Sequence, residues 1–237
     1  MPHRNENVPK AVAGLRTANS RRSIIASGAV FASIAAIGAR LSVTEAFAQR
    51  GATLVGGAVD LGTGDFAVLN YAYALEQLEA AYYTQALAQP YRGMNAYEQQ
   101  VLVDLQSHET AHRDFLKNAL GFAAIPDLQV DFSRVNFANR NSVLTTARTF
   151  EDLGVSAYNG AGQLLRNPQF LAVAGSIVSV EARHAAIIRD LLSPFSTAFA
   201  GNDVVDAAGL DVARLPSQVL PKAAPFVLTP VSASQLP

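Results

Sequence analysis

Two short stretches of the sequence place a glutamate three residues before a histidine: Glu109-x-x-His112 and Glu181-x-x-His184. Residues three apart share one face of an α-helix, so each pair can direct a carboxylate and an imidazole toward the same point. Both groups are ligands for transition metals. The spacing therefore predicts a metal site wherever two such helices face each other.

A second pattern precedes each pair. Glu76 and Tyr83 lie seven residues apart upstream of the first pair, and Glu151 and Tyr158 have the same spacing upstream of the second. The chain thus contains a weak internal repeat, in which Glu and Tyr are followed by Glu-x-x-His. We interpret the two tyrosines as core residues with hydrogen bonds and not as redox residues.

Combining the two patterns gives four carboxylates and two imidazoles. This donor set suits two metal ions, iron or manganese, with bridging carboxylates and open coordination positions. Carboxylates facing the interior of a helix bundle would otherwise be costly, because nothing there replaces water around their charge. The candidate metal ligands are Glu76, Glu109, His112, Glu151, Glu181 and His184.

Residues 108–112 also spell H-E-x-x-H, which is typical of zinc proteases, with both histidines on zinc and the glutamate as general base. The extended protease motif continues with a glycine and a third histidine, where this chain has Phe115 and Asn118. Glu151 could supply a third ligand, but this alternative leaves the second Glu-x-x-His pair unexplained. We therefore favour a position for His108 beside the metal site or on the surface.

Composition narrows the classes of protein further. The 237 residues include no cysteine, which excludes disulfides, thiolate zinc sites and cysteine-ligated iron–sulfur clusters. Half of the chain is hydrophobic, enough for one folded domain with appendages. Residues 49–237 carry a formal charge of −5, which argues against a nucleic acid as the partner.

The elements that must carry these ligands are helical. Asn95 and Glu98 have the spacing of a capping box, and Asn167-Pro168 is typical of a helix start. We predict an all-α fold in which residues 65–193 form a four-helix bundle. About twenty residues separate the second helix from the third, as a long crossover connection requires. The predicted helices span about 65–88, 95–120, 141–166 and 168–192.

The predicted bundle is flanked by two further segments. Glycine-rich residues 49–64 have the composition of a linker. Residues 194–237 contain six of the eleven prolines and several large apolar residues, so we expect an extended arm packed on the bundle. The alternative is a poorly ordered tail.

The first 48 residues have the order of an export signal. A basic leader contains Arg21-Arg22, a run of about 16 apolar or small residues follows, and Ala46-Phe47-Ala48 is a typical cleavage pattern. The paired arginines resemble a twin-arginine signal, which implies recognition by the twin-arginine export machinery and a periplasmic or extracellular location. The alternative is an uncleaved anchor, although the apolar run falls short of the roughly 20 residues that span a bilayer.

Three segments carry a wider resemblance, which covers about residues 60–193. LNYAYALEQLEAAYY, SHETAHRDFLKNALG and SVEARHAAIIRDLL resemble bacterial secreted ferritin-like proteins, which are related to plant desiccation-related proteins. The resemblance implies a ferritin-like bundle and the same six ligands. LNYAYALE resembles the first helix of bacterioferritin, which favours Glu76 over Glu79.

The leading functional hypothesis is therefore a dinuclear metal centre with redox chemistry in stress protection. Ferrous iron oxidation, or the reduction of peroxide or oxygen, would be its reaction. The alternative is a non-catalytic envelope or desiccation protein that uses the surface of the bundle for binding.

Overall fold

The computed structural model describes residues 54–55 and 57–237. The predicted export signal, residues 1–48, lies outside the described residues, as do residues 49–53 and 56 of the predicted linker. Four long helices form the body of the fold, and they confirm the predicted all-α bundle. These helices are α1 (Gly64–Ala88), α2 (Ala96–Leu120), α3 (Arg140–Gly162) and α4 (Pro168–Leu192).

The starts of α2 and α4 have the local chemistry expected from the sequence. The Asn95 side chain accepts a hydrogen bond from the Glu98 amide at 2.9 Å, and the Glu98 carboxylate accepts one from the Asn95 amide at 3.2 Å. This is the predicted capping box. Asn167 caps α4 by accepting a hydrogen bond from the Gln169 amide, and Pro168 occupies the first helical position.

Helix α3 differs slightly from its predicted span. It begins at Arg140, because the Asn139 side chain caps it by accepting a hydrogen bond from the Ser142 amide. It ends at Gly162, four residues before the predicted end. The Asp65 carboxylate accepts hydrogen bonds from the amides of Arg166 and Asn167, so the link to α4 is held by a residue of α1.

The helices pair as two hairpins, α1 with α2 and α3 with α4, and α1 packs on α3 while α2 packs on α4. The predicted crossover joins the hairpins between residues 121 and 139. Buried Asn70 of α1 fastens it: its amide nitrogen donates to Ala123 O at 2.9 Å and to Leu61 O at 3.1 Å. The same side chain accepts a hydrogen bond from the Ile125 amide.

Helix α1 is buried on nearly every side, and 17 of its residues are buried. The other three long helices keep an exposed face. The covering of α1 comes from the hairpin partner, α3, the crossover and the C-terminal arm. Tyr82 of α1 packs edge-on against Phe132 of the crossover and Phe150 of α3, and Phe226 of the arm packs on Phe150.

The prediction that residues 49–64 form a linker needs correction, because some of these residues form β-strands. Its residues supply β1 (Leu54–Val55) and β2 (Ala58–Asp60), which pair antiparallel, and β2 pairs in parallel with β3 (Val231–Ser232) of the arm. Val59 and Leu61 are buried. The glycine content suggested a linker, but the strand partner of β2 lies in the distant arm, which a local pattern does not reveal.

The arm packs on the bundle as predicted and contains one short helix, α5 (Pro216–Ala223). Arg189 of α4 anchors it, since its buried guanidinium donates to Asp203 of the arm and to Asp152 of α3. Further along, the Arg214 amide donates to Ser156 O of α3 at 2.8 Å. The arm is thus fastened to both helices of the second hairpin.

Gly160 marks the closest approach of the arm to α3. A Cβ at this position would lie 1.9 Å from the carbonyl oxygen of Arg214, well inside van der Waals contact. The backbone of the arm therefore occupies the space that any other residue would need. By contrast, a Cβ at Gly175 of α4 would meet nothing within 4 Å.

We predict that Gly160→Ala destabilises the fold and loosens the arm. Overpacking against a fixed backbone costs about 1–3 kcal/mol, which offsets the roughly 1 kcal/mol that alanine contributes in a helix. Urea denaturation would measure the free energy of unfolding, and limited proteolysis would report release of the arm.

The matched control is Gly175→Ala, which makes no new contact and should stabilise the protein by about 0.5–1 kcal/mol. Equal gains in stability for both variants would contradict the close approach of the arm at Gly160.

Candidate metal centre

The structure brings all six predicted ligands together inside the bundle. The four glutamates are completely buried, the side chain of His184 is almost so, and that of His112 is 13% exposed. Each helix contributes: Glu76 comes from α1, Glu109 and His112 from α2, Glu151 from α3, and Glu181 and His184 from α4.

These residues form two overlapping groups that could each hold a metal ion. In each group, one ligand atom per residue lies within 4.8 Å of the others, and each group offers three carboxylates and one imidazole. Glu109 and Glu181 belong to both, as bridging carboxylates between two ions would. The groups are Glu76, Glu109, His112, Glu181 and Glu109, Glu151, Glu181, His184, hereafter the His112 group and the His184 group.

The two Glu-x-x-His pairs interlock across the bundle. His112 Nδ1 lies 2.8 Å from Glu181 Oε1, and His184 Nδ1 lies 2.7 Å from Glu109 Oε1. Each histidine is farther, 3.5 Å, from the glutamate of its own helix. The repeat in the sequence is therefore also an approximate repeat in space.

These short contacts do not satisfy the polar atoms of the cluster. In the described part of the chain, ten buried side-chain nitrogen and oxygen atoms have no hydrogen-bond partner, and eight of them belong to these six residues. Buried polar atoms are almost always hydrogen-bonded, because leaving one unpaired costs about 1–3 kcal/mol. Lone pairs that converge without hydrogen-bond geometry fit the coordination of cations, so the donor set fits metal ions.

Two tyrosines hold the outer carboxylates. The Tyr158 hydroxyl of α3 donates to Glu76 Oε1 of α1 at 2.5 Å, and the Tyr83 hydroxyl of α1 donates to Glu151 Oε1 of α3. Burial raises the pKa of both phenols, so they remain donors. This confirms that they are core tyrosines with hydrogen bonds. The other oxygen of each glutamate, Oε2, is left without a partner and available to an ion.

A family model described as a ferritin-like domain matches residues 64–194, which include all four helices of the bundle. The chain belongs to the ferritin-like family. Comparison with curated proteins finds none that matches. The family match agrees with the resemblance seen in the sequence, whereas the twin-arginine signal and the relation to desiccation proteins stay predictions.

In this ferritin-like bundle His108 lies outside both groups. Its Nδ1 is instead 2.9 Å from Nε2 of His184, on the side of that ring opposite the carboxylates. The two histidines of the H-E-x-x-H sequence thus do not converge on one point. Glu109 is shared by both ligand groups, so the geometry does not support the zinc-protease alternative.

Glu79 is a further buried carboxylate that is part of neither group. It packs against α3 where Gly154 leaves room: its Oε1 lies 3.0 Å from the point that a Cβ would occupy. Burial, followed by the charges of Glu109 and Glu181, raises its pKa well above the ordinary value. The spacing Glu76-x-x-Glu79 placed it on the same helix face, but spacing alone could not tell the two glutamates apart.

Burial also keeps protons on carboxylates of the ligand groups. It raises the pKa of Glu109 well above the ordinary value, and the charge of Glu181 adds to this effect. Burial raises the pKa of Glu151 to about 7, although His184 opposes the shift. Both carboxyls must release protons before they can bind a cation.

The pKa values of the two imidazoles are also raised, but the cause is the charge of the surrounding carboxylates and not burial. Burial would lower the pKa of His112 and His184, but the surrounding carboxylates, Glu76 and Glu151 foremost, raise both above the ordinary value. Burial opposes the ionisation of Glu181, yet contacts with the two histidines lower its pKa to about 2. Without metal, protons thus take the place of cations among the carboxylates.

We predict that the free energy of unfolding of the metal-free protein falls between about pH 6 and pH 9. His112, His184, Glu79 and Glu109 have folded-state pKa values above their unfolded ones. Their contribution is complete below the unfolded pKa, about 4.3 for Glu and 6.5 for His, and is lost as pH rises. Glu181, with its lowered pKa, changes stability only at acid pH.

Chemical denaturation of chelator-treated protein at a series of pH values would measure this dependence. Glu79→Gln, which mimics the protonated carboxyl, should flatten the slope. Asp104→Asn, an exposed carboxyl on α2, should leave it unchanged. A stability that is constant or increases over this range would contradict the assignment of protons to the cluster.

Proposed function

We propose that this protein binds two metal ions, iron or manganese, at the His112 and His184 groups and uses them for redox chemistry. The reaction would be oxidation of ferrous iron or reduction of peroxide or oxygen. One observation carries the proposal: eight nitrogen and oxygen atoms that form no hydrogen bond converge in two overlapping groups inside a ferritin-like bundle. Such ions, when bound, supply one-electron steps and open coordination positions.

The four glutamates would have different roles in binding the ions. Glu109 and Glu181 would bridge the two positions, because they belong to both groups. Glu76 and Glu151 would each bind at one position, held in orientation by Tyr158 and Tyr83. The complete burial of the carboxylates excludes bulk water and strengthens their attraction for cations.

Access for a small reactant is expected on the His112 side. Its side chain is 13% exposed, while the side chains of the other five ligands are 0–4% exposed. Oxygen or peroxide, as a small molecule, would approach the ions beside this side chain.

We predict that the protein folded with iron or manganese binds about two ions per chain. Glu109→Ala should lose both, because this carboxylate belongs to both groups, whereas His184→Ala should retain one. Elemental analysis of purified protein would measure the stoichiometry, and oxygen consumption with ferrous iron or peroxide would test the redox step.

Asp114→Ala is the matched control, an exposed carboxylate on the same helix as Glu109 that pairs with Arg113. It should bind as much metal as wild type. Circular dichroism would show that each variant keeps its helices. A wild-type protein without metal, or ligand variants with unchanged stoichiometry, would contradict the proposal.

We further propose that the protein is exported and acts in stress protection outside the cytoplasm. Support comes from Arg21-Arg22, the apolar run after them and Ala46-Phe47-Ala48. The twin-arginine route carries folded proteins, so export by it would be compatible with metal loading in the cytoplasm.

We predict that replacing both Arg21 and Arg22 with lysine retains the protein in the cytoplasm. Cell fractionation and immunoblotting would measure its distribution, with Arg16→Lys as the control outside the paired arginines. Unchanged export of the double variant would contradict the twin-arginine route.

A further inference from the structure

The two halves of the metal centre differ at one position of the repeat. SHETAH, residues 107–112, aligns with SVEARH, residues 179–184, so that serine, glutamate and histidine coincide. The position before the glutamate is His108 in α2 and Val180 in α4. A histidine therefore stands in the first hairpin where the second has an aliphatic residue.

His108 makes a specific contact with a ligand of the other hairpin. Its Nδ1 lies 2.9 Å from Nε2 of His184, and the two ring planes are within 6° of parallel. His184 Nδ1 lies 2.7 Å from Glu109. One nitrogen of His184 thus faces the carboxylates, and the other is engaged by His108.

His112 has no equivalent support. Its Nδ1 faces the cluster, 2.8 Å from Glu181. Within residues 54–55 and 57–237, no hydrogen bond to its Nε2 is found. The residue aligned with His108 is Val180, and its side chain cannot accept a hydrogen bond. Since valine fills this position in one hairpin, packing alone does not require an imidazole in the other.

We propose that His108 is a positioning residue that makes the two metal positions inequivalent. It accepts the Nε2–H of His184 at its own Nδ1, which fixes the tautomer in which His184 Nδ1 carries a free lone pair. A ligand histidine supported in this way typically gains 10–100-fold in metal affinity. The ion at the His184 group therefore binds more tightly than the ion at the His112 group. This inference rests on the proposed function.

The test exchanges the two residues. His108→Val gives both hairpins valine, Val180→His gives both a histidine, and the double variant moves the support to the other hairpin. Manganese titrations followed by electron paramagnetic resonance of the free ion would give both affinities. We expect His108→Val to weaken the tighter ion about 10–100-fold and leave the other unchanged. The double variant should again bind one ion more tightly.

Two further variants assign the effect to a position. With Glu151→Gln, which weakens only the His184 group, His108→Val should have little additional effect. With Glu76→Gln, which weakens only the His112 group, its full effect should persist. His108→Gln, which keeps an acceptor oxygen, should recover part of the affinity.

A spectroscopic readout separates positioning from general packing. In zinc-loaded, ¹⁵N-labelled protein, nuclear magnetic resonance should show that Nε2 of His184 is protonated and hydrogen-bonded to a nitrogen in the wild type. This signal should be absent in His108→Val. If the wild type binds two ions and His108→Val leaves both affinities and this signal unchanged, or weakens both ions equally, the inference is overturned. If the wild type binds no metal, the proposed function itself fails.

Discussion

Four buried carboxylates that make up two overlapping groups are the constraint on which the rest of the structure depends. Two like charges 4 Å apart repel by about 4 kcal/mol even at an effective dielectric constant of 20. Glu76, Glu109, Glu151 and Glu181 are each inaccessible to solvent, so water cannot offset that repulsion. Positive charge must do so, whether as protons on the cluster or as metal ions. The interlocked histidines, the tyrosine donors and the unpartnered lone pairs all follow from this requirement.

The crossover and the arm add to the burial of the helix that carries Glu76 and Glu79. In an ordinary four-helix bundle each helix keeps a solvated face, yet α1 is enclosed by the crossover and the arm. Glu76 and Glu79 belong to this enclosed helix and are themselves buried, and surroundings of low dielectric strengthen repulsion without cations and attraction with them. Two glycines of α3 lie at close contacts: Gly160 faces the backbone of the arm at Arg214, and Gly154 faces the side chain of Glu79. The arm thus covers the bundle without supplying any of the six candidate ligands.

Local patterns predicted the helices and identified the six candidate residues, because helical spacing and capping are properties of neighbouring residues. Asn95 with Glu98 and Asn167 with Pro168 marked helix starts that the structure retains. Features that depend on distant segments could not be predicted this way. The β2 strand pairs with residues about 170 positions later, and the link between α3 and α4 is held by Asp65 of α1. The contact between His108 and Nε2 of His184 also depends on the packing of α2 against α4.

The repeat is close to symmetric, so its departures from symmetry carry information. Tyr83 and Tyr158 exchange hydrogen bonds with the glutamates of opposite hairpins, as a two-fold arrangement requires. The aligned hairpins differ at several positions, and two of these lie beside the cluster: Glu79 corresponds to Gly154, and His108 corresponds to Val180. In both, the first hairpin carries the ionisable residue and the second a residue without a polar side chain. A site that only had to hold two ions would need neither departure. At these two positions the ionisable side chain lies in the first hairpin, and at one of them Gly154 of the second hairpin leaves the space that Glu79 occupies.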